Sequence, residues 1–294
     1  MTERPSGVGA PLVVLSIQSS VAYGHVGNSA ATFPLMRMGV EVWPVLTVHF
    51  SNHTGYPGWR GPLLAAADVA DVVRGISERG VLGQVAAVLS GYQGAPDVGE
   101  VVLDTVAEVR RHNPAAIYCC DPVMGDVDRG FYVLAGIPAL MRDRVVPAAQ
   151  LITPNQFELE ALTGGQAGTQ AELLAAADAA RGLGPETVLV TSVVLADADP
   201  NTMAMFAVDG VGAWSVATPR LSQTFTGSGD LTAALFLAHW LRSRDLPIAL
   251  EATAATVFGV LQVTVETGRS ELALVQAQEE FVQPSRHFTA IRVR

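Results

Sequence analysis

The chain has 294 residues, a formal net charge of −10 and 49% hydrophobic residues, enough apolar material for the core of one large α/β domain. The acid excess argues against a nucleic-acid partner, and all 18 basic residues are arginine. Without lysine there is no P-loop, no protein-kinase site and no anchor for an enzyme-bound pyridoxal phosphate, so any phosphate handled here meets backbone amides, metal or arginine.

Residues 1–10 read as a loose polar tail without the apolar core of a signal peptide. Leu12–Ile17 is short, apolar and β-branched and reads as a buried strand. Gly27–Met38 reads as a helix ended by Gly39, and Val40–Val48 as a second strand. His49–Pro62 is a polar, Gly-rich loop too long for a plain connection. Ala65–Glu78 is a helix, Val85–Leu89 a strand, and Asp97 opens a helix running to His112. Ala116–Cys120 is a strand in which Cys119 and Cys120 point to opposite faces, which excludes a disulfide between them and suggests a reducing, cytoplasmic location. Leu151–Thr153 is a strand with a helix after it to Leu162. A helix over Thr169–Leu183 precedes a strand over Thr187–Thr191. Met203–Val208 and Ala213–Ala217 flank an Asp209-Gly210 turn and read as a hairpin. Helices over 229–241 and 247–267 follow, and 284–294 reads as a second loose tail. No run is long enough to read as a membrane span.

Strand–helix alternation predicts a mostly parallel sheet with helices on both faces, in one domain over 1–294. Ligands in such sheets sit beyond the carboxyl ends of the strands. The polar clusters fall there: Gln18-Ser19, His49–Thr54, Gly91-Tyr92, Asp121–Asp126, Thr153–Glu158 and Thr191-Ser192.

Thr226-Gly227-Ser228-Gly229-Asp230 carries the most chemistry. Two glycines turn the chain sharply, and the amides of Gly227, Ser228 and Gly229 would point into a helix N-terminus that attracts anions. Asp230 stands beside any anion held there and suits removal of a hydroxyl proton during phosphoryl transfer. The same residues also read as a plain helix start. Asp121 and Asp126, five apart across a Pro/Gly turn, suit Mg²⁺ and its waters, or are solvated turn residues. Asn155 and Glu158 suit phosphate and a metal shell, or simply open a helix with acid at its positive pole. Ser19 and Thr54 suit hydrogen bonding to a small polar ring, with turn chemistry and helix capping by Asn28 as the alternative. His53 reads either as a substrate contact or as a structural residue, and Tyr92 either as a stacking face or as a partly buried structural ring. Cys119 and Cys120 have no ligand-spaced partners for zinc.

In order and over nearly the whole chain, Leu15–Ser19, Gly24–Ala31, Phe50–Gly55, Leu89–Tyr92, Cys120–Asp126, Thr153–Glu158 and Gly227–Asp230 together resemble the pyridoxal kinases of the ribokinase superfamily. The resemblance implies a three-layer αβα fold, a homodimer, and ATP-dependent phosphorylation of the 5′-hydroxyl of pyridoxal, pyridoxine or pyridoxamine. It implies Asp230 as base and Gly227, Ser228 and Gly229 as anion hole. It places Ser19, Val26, His53, Thr54, Tyr92 and Tyr132 around the vitamin ring. Asn155, Thr191, Ser192, Thr226, Val260 and Leu261 fall on the nucleotide side. Asp121, Asp126, Thr153 and Glu158 form the metal and phosphate shell for Mg²⁺, with Thr153 and Thr191 beside a monovalent cation, K⁺ or Na⁺. Ser228 stands where the family usually has Thr. Ser20 replaces the usual His, and Gln93 follows Gly91-Tyr92; both are candidates for altered vitamer preference. Two rivals are a hydroxymethylpyrimidine kinase of the same fold, in which Cys typically replaces the loop aspartate, and a vitamer-binding protein without turnover. Asp230 disfavours both.

Overall fold

The structure, a computed structural model, describes residues 12–294; the predicted tail over 1–10 lies outside the described residues. The strands are β1 (Val13–Val21), β2 (Glu41–Phe50), β3 (Val85–Ser90), β4 (Ile117–Cys120), β5 (Gly125–Asp126), β6 (Gly130–Phe131), β7 (Leu151–Ile152), β8 (Thr187–Val193), β9 (Thr202–Val208), β10 (Ala213–Pro219) and β11 (Ile291–Arg292). The helices are α1 (Asn28–Arg37), α2 (Ala66–Ser77), α3 (Pro96–His112), α4 (Ile137–Leu140), α5 (Val146–Ala148), α6 (Gln156–Thr163), α7 (Gln170–Arg181), α8 (Ser228–Ser243) and α9 (Leu246–Glu266). Nine strands form one sheet in the order β11-β10-β9-β8-β7-β4-β3-β1-β2. From β2 to β8 every pairing is parallel, and β9, β10 and β11 add antiparallel strands at one edge.

Period-2 alternation sorts the strand side chains between two apolar layers. Val13, Leu15 and Ile17 face α2, α3, α6 and α7, joined there by Val102, Val106 and Val109 of α3. Val14 faces the opposite layer, where α1, α8 and α9 pack. Cys120 belongs to the first layer and Cys119 to the second, and both thiols are free and buried. Burial pushes Cys120 up to about 12 and Cys119 well above its usual value, so both stay protonated.

Several elements differ from expectation. β1 runs on to Val21, with a register shift against β2 between Gln18 and Ser20. The Asp121–Asp126 turn continues into a small hairpin, β5–β6. Residues 284–294 are not a loose tail: Ile291 and Arg292 pair with Ser215 and Trp214, Phe288 meets the Phe258 ring edge-on at 5.3 Å, and Arg294 pairs with Asp178. A pairing over two residues is too short to leave an alternation to read. α9 is long and apolar enough to cross a membrane by length and composition, against the expectation that no run is. Its apolar surface is instead divided between α8 and the layer shared with β9 and β10, the situation that makes a helix apolar all round.

Candidate active site

The carboxyl ends of β1, β3, β4, β7 and β8 converge on the N-terminus of α8. Gly227 caps that helix with φ 88°, a left-handed conformation that suits glycine. A Cβ on Gly227 would lie 1.8 Å from the His25 carbonyl oxygen, so the chain after β1 presses directly on the cradle. Ser228 donates both its amide and its hydroxyl to the Phe225 carbonyl. Among the described residues neither Gly227 nor Gly229 gives its amide to a protein acceptor, and a Cβ on Gly229 would meet nothing within 4 Å. Two amides at the positive pole are thus left without a protein acceptor, an arrangement that suits an anion.

Asp230 lies in the first turn, half-buried. Burial pushes its carboxyl up to about 6, against the pull of hydrogen bonds from the Gly27 amide and its own. Two further carboxylates stand near. Asp121, at the end of β4, is 4% exposed and accepts the Thr153 hydroxyl at 3.0 Å. Burial, then the charges of Glu158 and Asp230, hold its carboxyl well above the usual range. Glu158 accepts from the amides of Met124 at 2.8 Å, Gly125 at 3.4 Å and Asn155 at 3.0 Å, and burial still lifts it to about 7.

On one side of Asp230, at the expected ring recess, Val21, Val48 and Phe50 form a buried apolar cluster with Val26 and Tyr92 packed on it. Val26 touches the cradle, its methyl 3.4 Å from where a Gly227 Cβ would stand. Ser19 is buried against Gly27. On the other side runs a cleft lined by Thr191, Ser192, Phe225, Ser228, Gly229 and Leu261. A register shift in β8 between Val190 and Val193 carries Thr191 and Ser192 toward it, and Ser192 takes φ 54°, the kind of local strain that functional turns hold.

The family model described as phosphomethylpyrimidine kinase matches residues 83–274. A pyridoxal kinase from Rubrobacter xylanophilus is 58% identical over 97% of this chain and 99% of its own, and one from Leifsonia xyli is 56% identical over 95% and 99%. The solved structure of a Leishmania donovani pyridoxal kinase in complex with ADP and ginkgotoxin superposes with a TM-score of 0.90 at 30% identity, covering 96% of this chain and 99% of that one. The chain belongs to the pyridoxal kinase family.

Not every residue that the family resemblance implies lies where a pyridoxal kinase site would use it. Asp230, Gly227, Ser228, Gly229, Ser19, Val26, Tyr92, Thr191, Ser192 and Leu261 come together as described. Thr226 lies half-buried just before the cradle. Val260 does not line the cleft: it is 0% exposed and packs with Leu231, Leu235 and Leu272, because one residue along a helix turns the side chain by about 100°. His53 is not free for substrate, since both ring nitrogens bond to protein groups, Nδ1 to the Gly55 amide and Nε2 to Glu271. Thr54 is exposed on the long loop. Asp126 pairs with Arg129, whose guanidinium lies 4.5 Å from the Tyr132 ring centroid. Tyr132 therefore stands on the carboxylate side of the site, its hydroxyl pushed up by burial and by the charges of Glu158 and Asp230. Asn155 caps α6 and donates its Nδ2 to the Gly125 carbonyl at 2.8 Å, so both ends of its amide are engaged. Thr153 gives its hydroxyl to Asp121. Asn28 is no cap; its Nδ2 ties the start of α1 to the carbonyls of Ser16, Gln18 and Val45. Ser20 bonds Ser29 at 3.1 Å. Gln93 is buried beside Gly99 of α3 rather than in the ring recess. Sequence reasoning missed Glu271 and Phe225 altogether, and named Phe50 only as the first residue of a motif, with no role of its own.

Proposed function

We propose that this chain transfers the γ-phosphoryl group of ATP to the 5′-hydroxyl of pyridoxal, with pyridoxine and pyridoxamine as further acceptors, acting as a homodimer in the cytoplasm. The observation that supports this most is the placing of one carboxylate, Asp230, between two amides without protein acceptors, an apolar cluster that includes Val26 and Tyr92, and a separate cleft. The acceptor ring rests in the recess against Tyr92 and Val26. Asp230 takes the hydroxyl proton as the oxygen bonds to the γ-phosphorus. The bond to the bridging oxygen breaks and ADP leaves with that electron pair. The amides of Gly227 and Gly229, at the positive end of α8, hold the charge on the moving group.

The carboxylates also fit a divalent cation. Burial raises the proton affinity of Asp121, Glu158 and Asp230, the charge of Asp230 adds to the shift of Glu158, and both charges add to that of Asp121; no basic side chain lies among the groups that shift them. Among the described residues no three acids, histidines or cysteines converge to ligate an ion directly. The donor set therefore suits a hydrated Mg²⁺ held by Asp121, whose second oxygen is unengaged, while Glu158 fixes the Met124-Gly125 turn beside it. When bound, Mg²⁺ neutralises charge on the nucleotide phosphates. K⁺ or Na⁺ beside Thr191 belongs to the same reading.

The test is ATP consumption by the purified chain with pyridoxal, pyridoxine, pyridoxamine, hydroxymethylpyrimidine and ribose, with Mg²⁺ and with EDTA. Turnover only with hydroxymethylpyrimidine, or with none, would overturn the proposal.

The pH profile follows from the buried acids. A base must be ionised, so kcat/KM for pyridoxal rises with pH and levels off once the site is deprotonated. Asp230 and Glu158, at about 6 and about 7, titrate as a linked set, so the rising limb falls between those values. A limb at pH 4 would remove Asp230 from the role of base. At the ring recess, Tyr92→Ala weakens pyridoxal binding by ~1 kcal/mol and spares an ATP analogue; titrating both ligands separates this from general loosening, which would weaken the two alike.

A further inference from the structure

Glu271 is a carboxylate, 7% exposed, that the chemistry above does not use. It follows α9 in sequence and joins two limbs of chain that lie 246 and 218 positions away from it. One oxygen accepts the His25 amide at 3.3 Å. The other accepts His53 Nε2 at 3.1 Å and the Tyr56 hydroxyl at 2.7 Å. The Gly55 amide donates to His53 Nδ1 at 3.2 Å, so Nε2 carries the ring proton and is the donor to Glu271. The fit is close on the other side as well: a Cβ on Gly24 would stand 2.2 Å from the carboxylate. The His53 and Tyr56 rings lie 4.6 Å apart over it.

Both limbs lead to the site. The first continues from His25, whose carbonyl presses on Gly227, to Gly27, whose amide favours the ionised form of Asp230. The second is the long loop after Phe50, itself part of the apolar cluster that holds Val26 and Tyr92. We propose that Glu271 is a positioning residue for the acceptor, a clasp that holds the loop over 53–56 against the chain over 24–27 and so keeps the ring recess in register with Asp230. This rests on the kinase function proposed above. A buried carboxylate accepting three donors suits the task, because hydrogen bonds to a charged acceptor are strong and removing it leaves its donors unpaired.

The experiment compares wild type, Glu271→Ala, Glu271→Asp and Tyr56→Phe in steady-state kinetics and in amide hydrogen exchange. Glu271→Ala is expected to raise the pyridoxal KM roughly tenfold, the scale of losing a charged hydrogen bond, and to leave the ATP KM within about twofold. Glu271→Asp recovers part of the loss, and Tyr56→Phe shows a smaller shift in the same direction. Exchange of the amides over 53–58 speeds up in Glu271→Ala. An unchanged pyridoxal KM, or an equal rise for ATP, overturns the clasp. If the wild type leaves pyridoxal untouched, the kinase proposal falls by itself. The exchange of 53–58 then decides whether Glu271 holds the loop, and unchanged exchange overturns that too.

Discussion

Replacing Asp230 with Asn lowers kcat by ~10²-fold or more and leaves pyridoxal and nucleotide binding in place. The amide has the carboxylate's shape and can still accept the Gly27 amide, so the start of α8 keeps its geometry. What it cannot do is take the hydroxyl proton. The same replacement makes the folded chain more stable at neutral pH. Asp230 holds its proton up to about 6 in the fold, against 3.8 as its ordinary value. As pH rises between those values, the unfolded chain gives up its proton first, and folding loses stability relative to a group that does not titrate. Removing the buried charge removes that penalty, and the gain is complete above about pH 6. A melting curve at pH 8 beside a turnover assay tests both halves. Near-wild-type turnover would take the base away from Asp230, and a lower Tm at pH 8 would contradict the burial of its charge.

The second large effect comes from Gly227→Ala. A methyl there would meet the His25 carbonyl at 1.8 Å, on a backbone with φ 88°, and the left-handed conformation alone costs about 1–2 kcal/mol for a residue with a Cβ. Either the chain over 24–27 or the start of α8 must move, and Asp230 is tied to both. Activity should fall ~10²-fold or more, as expected when a reacting group is displaced by an ångström, and Tm should fall with it. Gly229→Ala is the paired control, because its Cβ meets nothing within 4 Å. There Tm holds, or rises with the ~0.4–1 kcal/mol of stability that an unstrained Gly→Ala change supplies. Turnover still drops, because the methyl enters the space before the cradle amides. Equal Tm for both variants would mean that His25 does not press on Gly227.

The sequence reading captured what is local or periodic. The buried strand over Leu12–Ile17, the opposed cysteines and the Gly-rich turn before Asp230 all depend on residues close together in the chain. Side-chain phase was harder. Val260 and Leu261 are equally apolar, and only the packing of α9 on Leu231 and Leu235 decides which one faces the cleft. Partners distant in sequence were not legible. His53 looks like a ligand contact until Glu271 arrives from 218 positions away, and Asp126 looks like a metal residue until the β5–β6 hairpin brings Arg129 to it. The length of β11 and the burial of much of α9 likewise depend on tertiary packing, which overrides local propensity.

Arg129, whose charge acts on Tyr132 beside the three acids, is a guanidinium, not an amine. Pyridoxal and its phosphate are reactive aldehydes, and they condense readily with primary amines. No side chain in the 294 residues carries one. A catalyst built this way can release an electrophilic product, at any concentration its cell requires, without being captured by it through a lysine.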